Sequence, residues 1–214
     1  MKKQGWLLLL TGFILVAGFA CSAFASGQLP LDISARFGGI EITDTAYWDS
    51  PDSTWFVLIR TPDRTNMLIC FVLEKGTWMQ KFQTDAALPQ GDGKVRILFS
   101  DRVRESADGR ESVQPILTII QAGTGDGEAS INVQTEFLRS SSGEWNLIRA
   151  YFAEEQICLE ISEDTVTFSS RTGQDPAESH TVQTGIERDL RRVDLAGIPR
   201  SLEEAKLLSA FPAD

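Results

Sequence analysis

The sequence predicts a mainly β protein built from antiparallel sheets, with one short helix near the C-terminal end. Short runs of β-branched, aromatic and aliphatic residues recur along the chain, and segments rich in Gly, Asp and Asn separate them. Residues 67–72 are apolar at every position, which favours strands that are covered on both faces. Such strands are typical of a sandwich of two sheets or of a sheet covered by a helix.

The predicted strands begin near residue 55, and turn-forming residues separate them at 61–66, 74–76, 90–93 and 108–109. Residues 131–137 alternate apolar and polar side chains, as a strand with one solvent-facing side does. The predicted strands are residues 55–59, 67–73, 77–82, 95–99, 116–120, 131–137, 145–152, 157–161 and 166–168.

Two stretches of the chain share a layout. Residues 55–82 and 116–152 each run as three strands, and in each stretch a Gly-x-Trp opens the third strand, at Trp78 and Trp145. Two arrangements therefore stay open for residues 26–214: a single sandwich-like domain, or two similar meander halves divided near residues 100–114.

The helix is predicted from a capping box at its start. Ser201 is placed to accept a backbone N–H, and Glu204 is placed to reach back toward the preceding turn. An apolar stripe follows, and Pro212 ends the helix; the stripe consists of Leu202, Ala205 and Leu208, with Leu207 and Phe211 beside it. A helix this short needs to dock on the sheet to be stable. Residues 171–185 have few apolar side chains and are predicted to form the loop that leads to it.

Composition limits the classes of partner. The 214 residues include 30 Asp and Glu against 20 Lys and Arg, a formal charge of −10. Binding a polyanion requires a surplus of basic residues, so nucleic acid is not an expected partner. The single histidine, His180, excludes a zinc site made of several histidines. No motif for a cofactor or a metal is found, and none is predicted.

The first 25 residues are typical of an export signal. Lys2 and Lys3 precede an apolar run over residues 6–20, and Ala23 and Ala25 are the small residues that a signal peptidase recognises. We expect cleavage after Ala25 and a secreted or periplasmic mature chain. The apolar run is short for crossing a bilayer, and no transmembrane segment is expected in the mature chain.

Cys21 offers an alternative N-terminus, because bacterial lipoproteins are cut just before a cysteine that then carries a lipid anchor. Ala20 fits that pattern, whereas Gly18 and Phe19 depart from the usual aliphatic then small residues. We favour the free protein because the Ala-x-Ala site is better formed, and we keep the lipid anchor at Cys21 as the minor alternative.

No catalytic motif emerges. The sequence has no Gly-x-Ser-x-Gly elbow, phosphate-binding loop or dinucleotide-binding loop, and His180 lies in a polar segment away from an evident nucleophile. Acidic residues that are able to bind calcium lie at Asp44, Asp49 and Asp52, and again at Asp126 and Glu128. Neither group has a known ligand spacing, so we interpret them as solvated turn residues.

Aromatic residues supply the only candidate ligand site. Tyr47 and Trp48 lie among Asp and Ser in a predicted loop, where exposed rings are able to stack on a sugar or a partner. We expect the other tryptophans of the mature chain to be core residues, since they open apolar strands; they are Trp55, Trp78 and Trp145. The basic residues near the C-terminus alternate with acids and are interpreted as a solvated face; they are Arg188, Arg191, Arg192 and Arg200.

Removal of residues 1–25 leaves two cysteines, Cys70 and Cys158. An oxidising compartment permits a disulfide between them, which would stabilise the fold by roughly 4 to 5 kcal/mol in the loop-entropy model. Two buried free thiols are the competing interpretation, because Cys70 lies in a run that is apolar throughout.

The export signal and the absence of a catalytic motif favour one function. We expect a non-enzymatic, extracytoplasmic β protein that binds a protein or a cell-envelope component. The alternative is a secreted carbohydrate-binding module or glycoside hydrolase that uses acidic residues and the Tyr47-Trp48 loop.

Cleavage after Ala25 is directly testable, because the small side chains of Ala23 and Ala25 fit the positions that signal peptidase reads. Mass spectrometry of the exported protein should give a chain that starts at Ser26. A diacylated N-terminus at Cys21 would contradict the free-protein expectation.

Overall fold

The computed structural model describes residues 28–49, 52–89, 93–105, 111–123, 131–170 and 179–210. The predicted signal segment, Cys21, Asp126 and Glu128 lie outside the described residues. Within them the chain forms two antiparallel sheets, of four and seven strands, with short helices near either end. The mainly β prediction is therefore confirmed, and so is the helix near the C-terminal end.

The four-stranded sheet follows a short helix and a 3-10 turn, and its strands are neighbours in chain order. These elements are α1 (Leu31–Ser34), the 3-10 turn (Ala35–Phe37), β1 (Glu41–Trp48), β2 (Thr54–Arg60), β3 (Asn66–Glu74) and β4 (Thr77–Thr84).

The seven-stranded sheet is also a meander, and α2 follows it after an irregular segment. Its strands are β5 (Lys94–Glu105), β6 (Glu111–Ala122), β7 (Ile131–Arg139), β8 (Trp145–Phe152), β9 (Ile157–Ile161), β10 (Thr165–Ser170) and β11 (Ser179–Gln183), and α2 spans Leu202–Ala210. Each of the nine predicted strands coincides with one of the observed strands.

Two sequence predictions on local structure are wrong. Tyr47 and Trp48 lie in β1 and pair with Trp55 and Thr54 of β2, so they do not form a loop. Residues 179–183 within the predicted loop 171–185 form β11, an exposed edge strand that pairs with β10. An edge strand is held by backbone hydrogen bonds and needs no continuous apolar face, so its composition resembles that of a loop.

The two central strands of the four-stranded sheet, β2 and β3, are buried on both faces, as the apolar run of β3 predicts. One face contributes Phe56, Leu58, Leu68 and Cys70 to a core shared with the seven-stranded sheet. The opposite face is covered by α1 and the 3-10 turn, where Ile33 and Phe37 pack on Trp55, Val57, Ile59, Ile69 and Phe71. This second cluster explains why α1 forms at all, because four residues have no independent helical stability.

Arg36 holds that N-terminal cover in place. Its Nη2 donates to the backbone oxygen of Trp78 on β4 at 2.9 Å, and its guanidinium lies 5.4 Å from the centre of the Phe71 ring. Trp78 is half-buried at the edge of this cluster, whereas Trp55 and Trp145 are core residues as predicted.

The seven-stranded sheet turns its apolar face toward the shared core. Alternate residues along its strands pack there, including Ile97, Leu117, Phe137 and Leu159.

The strands β5 and β6 extend past the rest of this sheet. β6 pairs with β7 only from Ile116 onward, whereas its earlier residues pair with β5 alone. Residues 101–105 and 111–115 thus form a two-stranded extension of the sheet, which we call the arm. The sequence suggests residues 100–114 as a boundary between halves, and of these residues 101–105 and 111–114 belong to the arm.

Asp44 joins the two sheets where their edge strands β1 and β5 meet. Its Oδ2 accepts the backbone N–H of Ile97 at 2.9 Å and lies 3.0 Å from Nε of Arg96. This hydrogen bond satisfies a backbone N–H of the edge strand β5 that would otherwise be open to pairing with another strand. It also joins the two sheets along one side of the sandwich.

An irregular segment, residues 186–200, covers the shared core between β8 and α2. It pairs with the start of β8, where Leu147 N donates to Arg188 O at 2.8 Å and Leu190 N donates to Trp145 O at 2.8 Å. Its apolar side chains are buried in the core; they are Leu190, Val193, Leu195 and Ile198. We call residues 186–200 the closing segment.

Asp189 fixes the shape of the closing segment. Its carboxylate is only 7% exposed, and it accepts the backbone N–H and the Nε of Arg191 at 3.0 and 2.9 Å. The Nη2 of Arg192 lies 3.3 Å from the same group. The hydrogen bonds from Arg191 lower the pKa of Asp189, and they prevail over the opposing effect of burial.

The helix α2 begins with the predicted capping box. Glu204 N donates to the Ser201 hydroxyl at 3.2 Å, and Glu204 Oε2 accepts the backbone N–H of Arg200 at 2.7 Å. Ala205 is fully buried in the shared core and Leu202 packs against it, whereas Leu207 is 64% exposed. The side chains of Leu208 and Phe211 lie outside the described part of the chain.

Docking of α2 can be tested with two substitutions on the same helix. Ala205→Asp places a charge in the core and should lower the free energy of unfolding by at least about 2 kcal/mol. Leu207→Asp removes an exposed side chain and should cost within about 1 kcal/mol, mostly through helix propensity. Urea unfolding of both variants measures the difference; equal losses would show that the helix does not dock through Ala205.

Candidate functional site

A groove of about 560 Å³ opens at the end of the sandwich where the closing segment meets the ends of β6, β7 and β8. Five separate stretches of chain line it. They contribute Ala86, Leu88 and Pro89; Gln121; Asn132 and Val133; Phe152, Ala153, Glu154 and Glu155; and Asp194, Leu195, Ala196 and Arg200. A volume of this size lies within the range of pockets that hold small organic ligands or short peptide segments.

Arg200 is the central charged residue of the groove. Its guanidinium carbon lies 4.5 Å from the centre of the Phe152 ring, and its Nη1 donates to Glu155 Oε1 at 3.1 Å. Phe152 is almost fully buried, so its ring serves as a platform for Arg200. An arginine held on a ring face and by a carboxylate has little freedom to reorient, so this part of the groove is rigid.

Carboxylates dominate the rest of the groove. Glu154 and Asp194 are both exposed, and Glu155 is paired with Arg200. Asp194 Oδ1 accepts the backbone N–H of Ala196 at 3.0 Å, which shapes the turn that follows. At neutral pH three carboxylates face one guanidinium, so the groove has a net negative charge.

The apolar and amide groups complete the lining. Leu88 and Val133 supply apolar surface, and Gln121 and Asn132 supply amide groups that are able both to donate and to accept hydrogen bonds. Such a mixture suits a ligand that has an apolar part and a polar or cationic end.

Tyr47 and Trp48 do not line this groove. The Tyr47 ring stacks on Trp55 at 4.8 Å, and its hydroxyl donates to Asp49 at 2.7 Å. Trp48 packs against the shared core, and the Arg139 guanidinium lies 5.3 Å from the centre of its ring. Burial raises the pKa of the Tyr47 hydroxyl, and Asp49 adds to that shift while Ser53 opposes it.

The three acids near these aromatic residues have separate partners. Asp44 binds Ile97 and Arg96, Asp49 accepts from Tyr47, and Asp52 lies 3.1 Å from Nη2 of Arg139. Asp52 and Arg139 tie the turn between β1 and β2 to the end of β7. The three carboxylates therefore do not converge on a common point, and no cluster suited to a metal ion is found among the described residues.

His180 lies on β11 opposite Phe168, on the exposed edge strand. Three of the four arginines of the closing segment form ion pairs: Arg191 with Asp189 and Glu144, Arg192 with Asp189 and Glu187, and Arg200 with Glu155. Arg188 contributes its backbone oxygen, which accepts from Leu147 N. In the described ranges no helix is long and apolar enough to cross a membrane.

Cys70 and Cys158 are both free thiols in the structure and lie on different sheets. Cys70 is buried in the core between the sheets, where burial raises the pKa of its thiol to about 12. On β9, Ile157 and Leu159 point into that core, so Cys158 faces the opposite way, beside Tyr151 and Ser169. A bond between the two thiols would have to pass through the seven-stranded sheet.

Searches against protein-family models, curated proteins and solved structures found no match for this chain. The class that the fold defines is a two-sheet antiparallel β protein with an open groove at one end.

The sequence does not predict the groove, and it indicates Arg200 only as one of the basic residues near the C-terminus. The lining residues are spread from Ala86 to Arg200, and none forms a local motif with its chain neighbours. The closing segment brings Asp194 and Arg200 to the other lining residues, and the spacing of residues in the sequence does not predict that path.

The position of the two cysteines predicts two free thiols in residues 26–214. Titration of denatured, unreduced protein should find both, and Cys158, which is half-buried, should be alkylated in the native state before Cys70. The loss of both thiols without added reductant would show that a disulfide forms.

Proposed function

We propose that this chain is an exported, non-enzymatic protein that binds a protein or cell-envelope component through the groove. Export is supported by the charged start, apolar run and Ala-x-Ala site of residues 1–25. The observation that carries the binding proposal is the groove itself, in which carboxylates, amides and apolar side chains from distant parts of the chain meet.

The charge of the groove selects a cationic group on the ligand. Arg200 is already paired with Glu155, which leaves Glu154 and Asp194 without an ion-pair partner among the described residues. The chain as a whole has a formal charge of −10, so long-range attraction also favours a cation. A lysine-bearing peptide segment or an amine-bearing envelope component meets both requirements.

The alternative of a carbohydrate-binding module or glycoside hydrolase at Tyr47 and Trp48 gains no specific support. One face of each ring is occupied, by Trp55 and by Arg139 respectively, so neither residue offers an open stacking platform there. The groove is the better candidate because it brings the exposed carboxylates of Glu154 and Asp194 together with apolar surface.

The test is a fluorescence-anisotropy titration, in which the purified mature protein is added to a labelled peptide that carries two lysines. Glu154→Gln should weaken binding several-fold, because it removes a carboxylate that makes no other described contact. Glu203→Gln removes an equally exposed carboxylate on α2 outside the groove and should leave the affinity unchanged.

Lysine acetylation supplies a second control, since it removes the positive charge and preserves most of the peptide. The acetylated peptide should bind much more weakly than the parent. Equal binding of both peptides, or equal affinity in Glu154→Gln and the unmodified protein, would overturn the groove as a cation-binding site.

A further inference from the structure

The outer face of the seven-stranded sheet contains a second hollow, of about 290 Å³, which is about half the volume of the groove and is built from different residues. The arm contributes Arg102 to its lining. The other lining residues come from β8, β9, β10 and the turn between β9 and β10. These lining residues are Ile148, Arg149, Glu160, Ile161, Ser162, Thr165 and Thr167.

Curvature of the sheet brings the arm to this hollow. Arg102 belongs to β5, which is four strands away from β9 in the order of the sheet. It nevertheless lines the same hollow as Glu160 and Thr167, so the arm must bend over the outer face. A bulge in β8 contributes to the same wall, since Ile148 has no partner between the paired residues Leu147 and Arg149.

The guanidinium groups of Arg102 and Arg149 are the main hydrogen-bond donors of the hollow. Arg149 uses one nitrogen on Glu136 at 3.3 Å and another on Glu160 at 3.2 Å, which leaves several of its five N–H groups for a ligand. Arg102 makes no hydrogen bond or ion pair with any described residue, so its whole guanidinium is available.

Hydroxyl groups add one further donor. Ser162 pairs with Thr165, and Thr167 pairs with Thr181 at 2.9 Å. Ser162 also donates to the backbone oxygen of Thr165 at 3.4 Å, so the protons of that pair are used within the turn. Thr167 is able to accept from Thr181 and to donate its own proton to a ligand. Among the described residues, Glu160 is the only carboxylate that lines the hollow, and Arg149 binds both Glu160 and Glu136.

We propose that this hollow binds a phosphate group, held between Arg102 of the arm and Arg149 of β8. Donors that converge from the arm on one side and from the sheet on the other suit a group whose terminal oxygens point in several directions. The hollow is several times larger than a phosphate group, so it has room for the phosphate and for part of the ligand that carries it.

The net charge of the protein makes the proposal sharply testable. A formal charge of −10 repels an anion at long range, so binding depends on the short-range donors in the hollow. Removal of one guanidinium should therefore have a large effect. Arg102 is the residue to change, because it makes no contact on which the described fold depends.

The experiment is a titration of the mature protein with inorganic phosphate at constant ionic strength, followed by NMR of backbone amides. Saturable shifts should appear in β8, β9 and β10, and Arg102→Gln should weaken phosphate binding at least ten-fold. Arg64→Gln removes an exposed arginine from the turn between β2 and β3 and should leave the affinity unchanged. Thr167→Val, which removes a hydroxyl and preserves the shape, should weaken binding by a smaller factor.

Two further arms identify the source of the phosphate group. Glycerol 3-phosphate represents a soluble ester, and vesicles of phosphatidylglycerol represent a lipid headgroup. Binding of the soluble ester that depends on Arg102 supports a soluble ligand, and vesicle retention that depends on Arg102 supports a membrane lipid.

The absence of shifts in β8 to β10, or equal phosphate affinity in Arg102→Gln and the unmodified protein, would overturn the proposal. The hollow and the groove share no lining residue, so the two proposals are tested separately. Glu154→Gln should leave the affinity for phosphate unchanged, and Arg102→Gln should leave the affinity for the lysine peptide unchanged.

Discussion

The buried carboxylate of Asp189 determines the path of the closing segment, and both the core and the groove depend on that path. Two arginines and a backbone N–H hold this carboxylate, while the neighbouring backbone pairs with the start of β8. A charge so little exposed is tolerated only because these donors replace the water it has lost. The charged pairs around Asp189 thereby place an otherwise irregular segment in a single position.

That position connects folding with the proposed function. On one side the closing segment supplies Leu190 and Val193 to the core between the sheets. On the other side it supplies Asp194 and Arg200 to the groove. Arg200 in turn precedes the capping box of α2, so the same stretch of chain also sets where that helix begins. A ligand that binds the groove would therefore stabilise the folded arrangement of the closing segment.

The sequence predicts most of this fold because most strands carry a local signal. Residues 131–137 alternate, residues 67–72 are apolar throughout, and both patterns survive in β7 and β3. The strand pattern is weaker in β1, because Asp44 interrupts it. The Asp44 carboxylate accepts the backbone N–H of Ile97 on β5, and no residue near Asp44 in the sequence indicates that contact.

The candidate site is less predictable for a physical reason. Asp189 looks like one more acid in a basic tail, and only its burial beside β8 distinguishes it from Asp194. Tyr47 and Trp48 have the composition of an exposed loop, but they lie in a strand, where one face of each ring packs on Trp55 or Arg139. Contacts between residues so far apart in the chain depend on tertiary packing, which local patterns do not contain.

The central claim is that the Asp189 carboxylate holds the closing segment, and urea unfolding of Asp189→Asn across pH tests it most directly. A pKa that folding lowers stabilises the native state above the unfolded pKa, which is about 4, and this contribution is lost as pH falls through the folded pKa. At pH 7 the variant should therefore be less stable by about 1.5 to 3 kcal/mol. The difference should narrow as the pH falls below about 4. Equal stability of the two proteins at pH 7, or a difference that does not change with pH, would contradict the account.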